Sequence, residues 1–204
     1  MHTRIFLFNG IIFLLAALVL AGCAASTNPQ RAVVKKLVKG KIPDDTSYVY
    51  TLPYESGKSY RMIQGYFSRL SHKERAAIDF KMKRGTKISA ARSGVVTRVK
   101  EDGEKGGLNR KYRSEGNFII IEHEDGSRAG YWHLQKDGAL VNVGDTVQQG
   151  QVIALSGKTG YAAMPHLHFL VWGPRNGQWV SIATRFETKK GPRYLRWWRK
   201  YKKP

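Results

Sequence analysis

From about Tyr48 onward the chain is written in short runs of apolar and β-branched residues, each closed by glycine or polar turn formers, the texture of an all-β domain. Residues 60–64 predict a strand that stops at Gly65, residues 78–80 another, and residues 85–96 two short strands around a turn. The strongly apolar run 117–123 leads into Glu124-Asp125-Gly126, whose Asp-Gly pair favours a hairpin, and the chain returns through 128–134. Val143-Gly144-Asp145 and Gln149-Gly150-Gln151 flank two more short strands, the second at 152–156. The β-rich run His166-Leu167-His168-Phe169-Leu170-Val171-Trp172 predicts the last. Helical spacing appears in the basic segment 31–41, at Val33, Val34, Leu37 and Val38. It recurs near the C-terminus. If Pro192 opens a helix there, Tyr194, Trp197, Trp198 and Tyr201 share one face and Arg196, Arg199, Lys200 and Lys203 the other. The pattern predicts an all-β, mostly antiparallel β-sheet domain with a short basic helix at either end.

Two stretches depart from this texture. Residues 102–116, with Gly103, Gly106, Gly107 and Gly116, form a polar interruption between strands, a surface loop that would wall a groove if a site lies beside it. Residues 1–23 begin with Arg4, run almost without polar residues from Ile5 to Leu20, and end in Leu20-Ala21-Gly22-Cys23. That ending resembles the lipobox of bacterial lipoproteins. It implies a signal peptide over 1–22, lipidation of Cys23 and attachment to a membrane by acyl chains. Ala24 after the cysteine resembles the pattern of lipoproteins sorted to the outer membrane of Gram-negative cells. The expected organisation is therefore a signal peptide (1–22), a tether and basic segment (23–47), a folded domain (48–188) and a basic aromatic tail (189–204).

Composition sharpens this picture at two points. With 35 Lys and Arg against 15 Asp and Glu the formal charge is +20, and loss of residues 1–22 would remove a single cation, Arg4. Such a balance points to a polyanionic partner. For an exported chain that partner is the cell wall or lipid phosphate, with no nucleic acid expected. Cys23 is the only cysteine, which excludes an intramolecular disulfide. The tail 189–204 carries eight basic residues and no acid. Its aromatic stripe fits packing on the protein's own sheet or an interfacial position with the cations toward anionic lipid.

The candidate chemistry centres on His166 and His168. On a strand, residues i and i+2 share a face, so both imidazoles project into one space. His72, His123 and His133 are further candidates, with His123, before the hairpin turn, expected to be structural. Asp79 lies between apolar neighbours, where a carboxylate is expensive to bury unless it is paired or bound to metal. Water activation by zinc needs three protein ligands and an open position. Proton transfer beside it needs imidazole nitrogens left free by the metal.

Taken together, Ser71-His72 with Ala77-Ile78-Asp79-Phe80, Gly85-Thr86, Gly94-Val95-Val96, Gly116-Asn117, Tyr131-Trp132-His133-Leu134, Val143-Gly144-Asp145, Ser156-Gly157-Lys158-Thr159-Gly160 and Pro165-His166-Leu167-His168-Phe169 resemble the lysostaphin/LytM-type zinc metallopeptidases. These are murein endopeptidases that cut peptide cross-links in bacterial cell walls, and the likeness covers roughly residues 50–173. It implies the fold of that family, the duplicated hybrid motif. It also implies one zinc ion held by His72, Asp79 and His168, with His133 and His166 as the unligated catalytic pair. Asn117 and Tyr131 are expected to meet substrate. The chain departs from the commonest pattern in one respect. First histidine and aspartate are usually four apart, whereas here Arg75 stands four before Asp79 and His72 seven before it. A guanidinium stays protonated and cannot ligate zinc. His72 is therefore expected to reach the site by an outward bulge of residues 73–77. The resemblance implies a zinc endopeptidase acting on peptidoglycan at the periplasmic face of an outer membrane. The alternative it leaves is a catalytically inactive lipoprotein that binds the wall and activates an amidase.

Overall fold

The alternation in residues 166–172 becomes the central strand of a large twisted sheet. The computed structural model describes residues 26–43 and 48–204. The signal-peptide and lipidation expectations, Cys23 included, lie outside the described residues. Helix α1 spans Gln30–Val38. The strands follow in chain order as β1 (Val49–Tyr50), β2 (Ser59–Gln64), β3 (Ile78–Lys81), β4 (Lys87–Ser89), β5 (Gly94–Lys100) and β6 (Gly106–Gly107). After a 3-10 turn at Arg110–Glu115 come β7 (Asn117–Glu122), β8 (Arg128–Ala139), β9 (Thr146–Val147), β10 (Val152–Ser156), β11 (Gly160–Tyr161) and β12 (His166–Arg175). The last four are β13 (Gln178–Ile182), β14 (Arg185–Phe186), β15 (Arg193–Tyr194) and β16 (Lys200–Lys202).

The principal sheet runs β16-β2-β3-β12-β8-β7-β5-β9, with β10, β4 and β13 attached beside it. Its pairings are antiparallel, and parallel pairing is confined to the short pairs β1–β14 and β6–β11. The fold is all-β and mostly antiparallel, as the sequence pattern predicts. One face of β3 and β12 carries Ile78, Phe80, Leu167, Phe169 and Val171 into a core shared with Tyr54, Met62, Ile119, Ile121 and Tyr131. Each such side chain contributes on the order of 1.5–3 kcal/mol of transfer free energy. That burial fixes the strand register, because a slip of one residue would turn the core set outward. The other face of the same strands therefore has to carry Asp79, His166 and His168.

Helix α1 forms where the basic N-terminal helix is expected. Val34, with Leu37 and Val38 partly covered, packs on Phe67, Ala76, Ala183 and Tyr194. Among the described residues no helix is long and apolar enough to cross a membrane.

The expected C-terminal helix does not form. β15 pairs with β14, and β16 pairs with the outer edge of β2 through Lys200–Arg61, Tyr201–Tyr60 and Lys202–Ser59. A short isolated helix is marginal in water, whereas an open sheet edge offers partners for the backbone of the same residues. Trp198 adopts a left-handed φ of 66°, which breaks any helical run through it. The aromatic stripe is split as a result. Tyr194 is buried and Tyr201 packs partly on the core, while Trp197 and Trp198 stay 66% and 56% exposed. Residues 189–204 thus contribute strands to the sheets of the folded domain.

Candidate metal and catalytic centre

Register alone brings two of the expected ligands together. On the β3–β12 ladder His168 lies directly opposite Asp79, and His166 opposite Lys81. His168 Nδ1 donates to Asp79 Oδ1 at 2.8 Å, and His166 Nε2 stands 3.8 Å from Asp79 Oδ2. The third, His72, comes from the segment between β2 and β3. A turn closed by the Arg75 N–H on the His72 carbonyl (3.2 Å), followed by the Phe67 N–H on the Arg75 carbonyl (3.0 Å), turns Glu74 and Arg75 to solvent and His72 inward. His72 Nε2 reaches 3.2 Å from Asp79 Oδ1 and 3.1 Å from His168 Nδ1. Seven residues of separation are absorbed by this turn, and the guanidinium of Arg75 takes no part.

Gln64, which sequence reasoning did not single out, holds that turn in place. It sits on β2 opposite Asp79, and with its amide turned so that the oxygen faces the donors around it, that oxygen accepts the main-chain N–H groups of Ser71 and His72, both at 3.2 Å. Its signal in the sequence is faint: a polar residue at the end of a strand, followed by Gly65. Gly65 in turn supplies the carbonyl that lies 3.3 Å from His72 Nδ1, leaving Nε2 pointed at the carboxylate. A carbonyl behind the distal ring nitrogen is the usual way a metal-binding imidazole is oriented.

Nε2 of His72, Nδ1 of His168 and a carboxylate oxygen of Asp79 form a triangle with sides of 2.8–3.2 Å. A tetrahedral zinc with bonds of about 2.0–2.1 Å sets its ligand atoms about 3.3 Å apart. The donor set, two imidazoles and one carboxylate, also matches the ion. Protonation fits as well. Burial alone would raise the Asp79 carboxyl, but hydrogen bonds from His168 and His72 outweigh it and hold the group well below the usual carboxylate range. Burial pushes His168 down, and the pull of Asp79 in the other direction is smaller. An ionised carboxylate beside a neutral imidazole is the state a divalent cation requires.

His133 and His166 complete the centre, their rings 4.5 Å apart. His133 is the extra residue of a bulge: Trp132 pairs with Phe118 and Leu134 with Asn117, so His133 faces no residue of β7. Its φ of 64° is left-handed, uncommon for a non-glycine residue and concentrated at functional sites. The bulge delivers its ring to the Thr159 carbonyl, 2.7 Å from Nδ1. Neighbouring Gly160, at φ 80°, permits this approach, since a Cβ there would lie 2.7 Å from Gly116 Cα. His166 Nδ1 is likewise 2.8 Å from the Met164 carbonyl. In each ring the carbonyl fixes the proton on Nδ1, which leaves an Nε2 lone pair free. Burial, helped by the nearby His166 and His168, lowers His133 to about 3, so it rests neutral. The polar stretch 102–116 borders this region, since β6 pairs with β11 immediately after Thr159.

Two expected substrate contacts are corrected. Asn117 is fully buried, its amide bound to the Gly103 N–H and carbonyl and to the carbonyls of Glu101 and Gln135. It ties the 102–116 loop to β7 and β8 and has no surface to offer. Tyr131 is also fully buried, faces the core against Phe169, and accepts the Ala91 N–H at its hydroxyl. Its neighbour Trp132 is the residue on the site face, 5.4 Å from His168 and 5.8 Å from Trp172.

His123 lies away from this centre, buried against Tyr50, with Nδ1 2.8 Å from the Ser93 carbonyl. Among the described residues its Nε2 has no partner. Burial lowers its pKa from 6.5 to about 4. The unfolded chain therefore binds the proton first, and the stability contributed by neutral His123 is complete above 6.5 and lost as pH falls toward 4. Acidification from about pH 7 to about pH 4.5 should cost roughly 2–3 kcal/mol through this group. His123→Leu should be weaker at pH 7, having orphaned the Ser93 carbonyl, yet lose less on acidification. Urea unfolding of both proteins at the two pH values measures it, and parallel losses would refute the assignment.

An all-β domain that places two imidazoles and a carboxylate around one point, with two further imidazoles beside it, offers a set of groups that could hold a divalent metal ion next to proton-transfer groups. The sequence model of Peptidase family M23 matches residues 73–182, and the chain belongs to that family. The match begins one residue after His72 and includes Asp79, His133, His166 and His168. The chain is 40% identical over 92 residues to lysostaphin of Staphylococcus simulans, covering 45% of this chain and 17% of that protein. It is 34% identical over 125 residues to the peptidoglycan DD-endopeptidase ShyB of Vibrio cholerae, covering 58% of this chain and 26% of that one. Both curated relatives are thus several times longer than the part they share with it. Among solved structures, the catalytic domain of lysostaphin from S. simulans superposes with a TM-score of 0.44 at 29% identity, over 61% of this chain and 86% of that domain.

Proposed function

We propose that the protein is a zinc-dependent endopeptidase that hydrolyses peptide bonds in the stem peptides or cross-links of peptidoglycan. The observation that carries this reading is the presence of the complete constellation: three converging donor atoms and two imidazoles whose Nε2 atoms are left free by main-chain carbonyls. His72, Asp79 and His168 would hold the ion, which when bound there would acidify a water molecule and polarise the scissile carbonyl. The chain's own residues do the rest. A neutral Nε2 of His133 or His166 accepts the proton of the attacking water as its oxygen adds to the carbonyl carbon. The imidazolium so formed hydrogen-bonds the developing oxyanion or returns the proton to the leaving amine as the C–N bond breaks. Peptidoglycan is rich in carboxylates, and a chain of +20 would be held to it at low salt.

The lipobox-like ending at Cys23 supports an anchored form at the cell envelope, on the periplasmic face of an outer membrane. A lipidated chain would search only the wall within reach of its tether. Incubation of the purified protein with isolated sacculi tests the reading. New free amines and shortened cross-links should appear, disappear with a chelator and return with added zinc. Wall binding without any cleaved peptide bond would favour the inactive, amidase-activating alternative instead.

A further inference from the structure

Between the C-terminal end of α1 and the strands at the far end of the chain lies a cavity of about 810 Å³. Nine of its seventeen lining residues are cations: Arg185, Arg193, Arg196, Arg199 and five lysines, with no carboxylate among them. Glu187 belongs to the same segment but is not part of the wall. Among the described residues, ion pairs join Lys87 to Glu55, Arg92 to Asp125 and Arg128 to Glu122, and none involves Arg196, Arg199, Lys200 or Lys202. Every lining residue falls outside residues 73–182, so the cavity is built from the flanking segments and not from the part shared with the family.

Like charges gathered around one space repel, and an anion that enters it relieves the repulsion. We propose that this cavity binds the phosphate groups of an anionic lipid headgroup. Three features select that ligand. A phosphomonoester carries about 1.5–2 negative charges on three acceptor oxygens, so a few such groups match nine cations within this volume, whereas single carboxylates would need far more carrier atoms. Guanidinium groups bind phosphate oxygens in pairs, and four of the nine cations are arginines. The same wall also carries Leu37, Val38, Ile42, Pro192, Tyr194 and Tyr201, an apolar surface that a free inorganic anion would not use but a glycerol or acyl root would. Trp197 and Trp198, exposed in the neighbouring loop with ring centroids 5.5 Å apart, suit headgroup depth. The site is independent of the catalytic reading: it concerns where the protein rests, not what it cleaves.

The full chain held in neutral detergent micelles, titrated calorimetrically with inorganic pyrophosphate, provides the test. One saturable event per chain is expected, weakening as salt is raised. Binding should fall roughly tenfold or more in Arg193→Gln/Arg196→Gln/Arg199→Gln, and measurably in Lys39→Gln, a lining cation that follows α1 and so guards against misfolding of the tail. Doping the micelles with phosphatidic acid should suppress pyrophosphate binding by competition. Pyrophosphate binding that the lipid leaves undisturbed would overturn the lipid assignment in favour of a soluble phosphate. Equal competition by a short glutamate peptide would overturn the choice of phosphate, and absence of saturable binding, or unchanged binding by both variants, would overturn the site.

Discussion

His72→Ala is expected to strip zinc from the purified protein and to lower peptide-bond cleavage in sacculi by more than about a thousand-fold, with Arg75→Ala close to wild type in both. Spacing makes this pair decisive. Arg75 occupies the position, four before Asp79, where the commonest form of the family carries its first ligand. In the folded chain Arg75 is at the surface and His72 Nε2 is 3.2 Å from Asp79 Oδ1. Removing His72 leaves two donors where zinc needs three. It also takes a fully buried ring out of the packing beside the carboxylate, so some loss of thermal stability should accompany the loss of metal. Metal content by atomic emission, read beside thermal unfolding, separates the two effects. Zinc retained by the His72 variant at wild-type stoichiometry would remove His72 from the centre, and zinc lost from the Arg75 variant would point to a different fold of the 65–77 segment.

His133→Asn and His166→Ala should keep zinc while lowering kcat by roughly a hundred- to ten-thousand-fold, the range for loss of a positioned acid or base. Asparagine is the better replacement at position 133, because it tolerates the left-handed backbone that alanine would strain. Neither ring belongs to the donor triangle, so metal content and KM should change little, and the effect should appear in kcat. A variant that loses zinc in step with activity would assign its histidine to the metal instead. Wild-type kcat in either would show that proton transfer is carried by the other ring or by solvent.

Much of this centre was legible before folding. Alternation through His166, Leu167 and His168 places both imidazoles on one face, and Asp79 among apolar neighbours has to be paired. The main strands lie close to where the runs predict them, and the segment 152–156 coincides with β10. Very short strands such as β1, β14 and β15 carry too few residues for a periodic signal, and form because a neighbour supplies the ladder. The tail misleads for a related reason. Tyr194, Trp197, Trp198 and Tyr201 satisfy a helical period, yet an unfilled edge of β2 competes for the same backbone groups and wins.

The substrate contacts show how a single residue of register matters. Alternation counted back from His133 puts Tyr131 on its face, but the bulge at His133 breaks the period, and Trp132 comes to the site face while Tyr131 enters the core. No local pattern announces that bulge, because it is set by Asn117 and Phe118 on the next strand and by the Thr159 carbonyl from beyond β10.

By itself, then, the sequence determined the class of fold and the strongly cationic character of the chain, since periodicity and residue chemistry are local properties, and its likeness to the family singled out the five side chains that the structure gathers around one point. Tertiary structure alone decided that His72 reaches across seven residues to Asp79, that His133 rather than its neighbours is thrown inward, and that the basic ends of the chain meet around one cavity. Each of these depends on groups distant in sequence being brought within a few ångströms, and only the packed sheet, with its register fixed by a buried face, supplies that proximity.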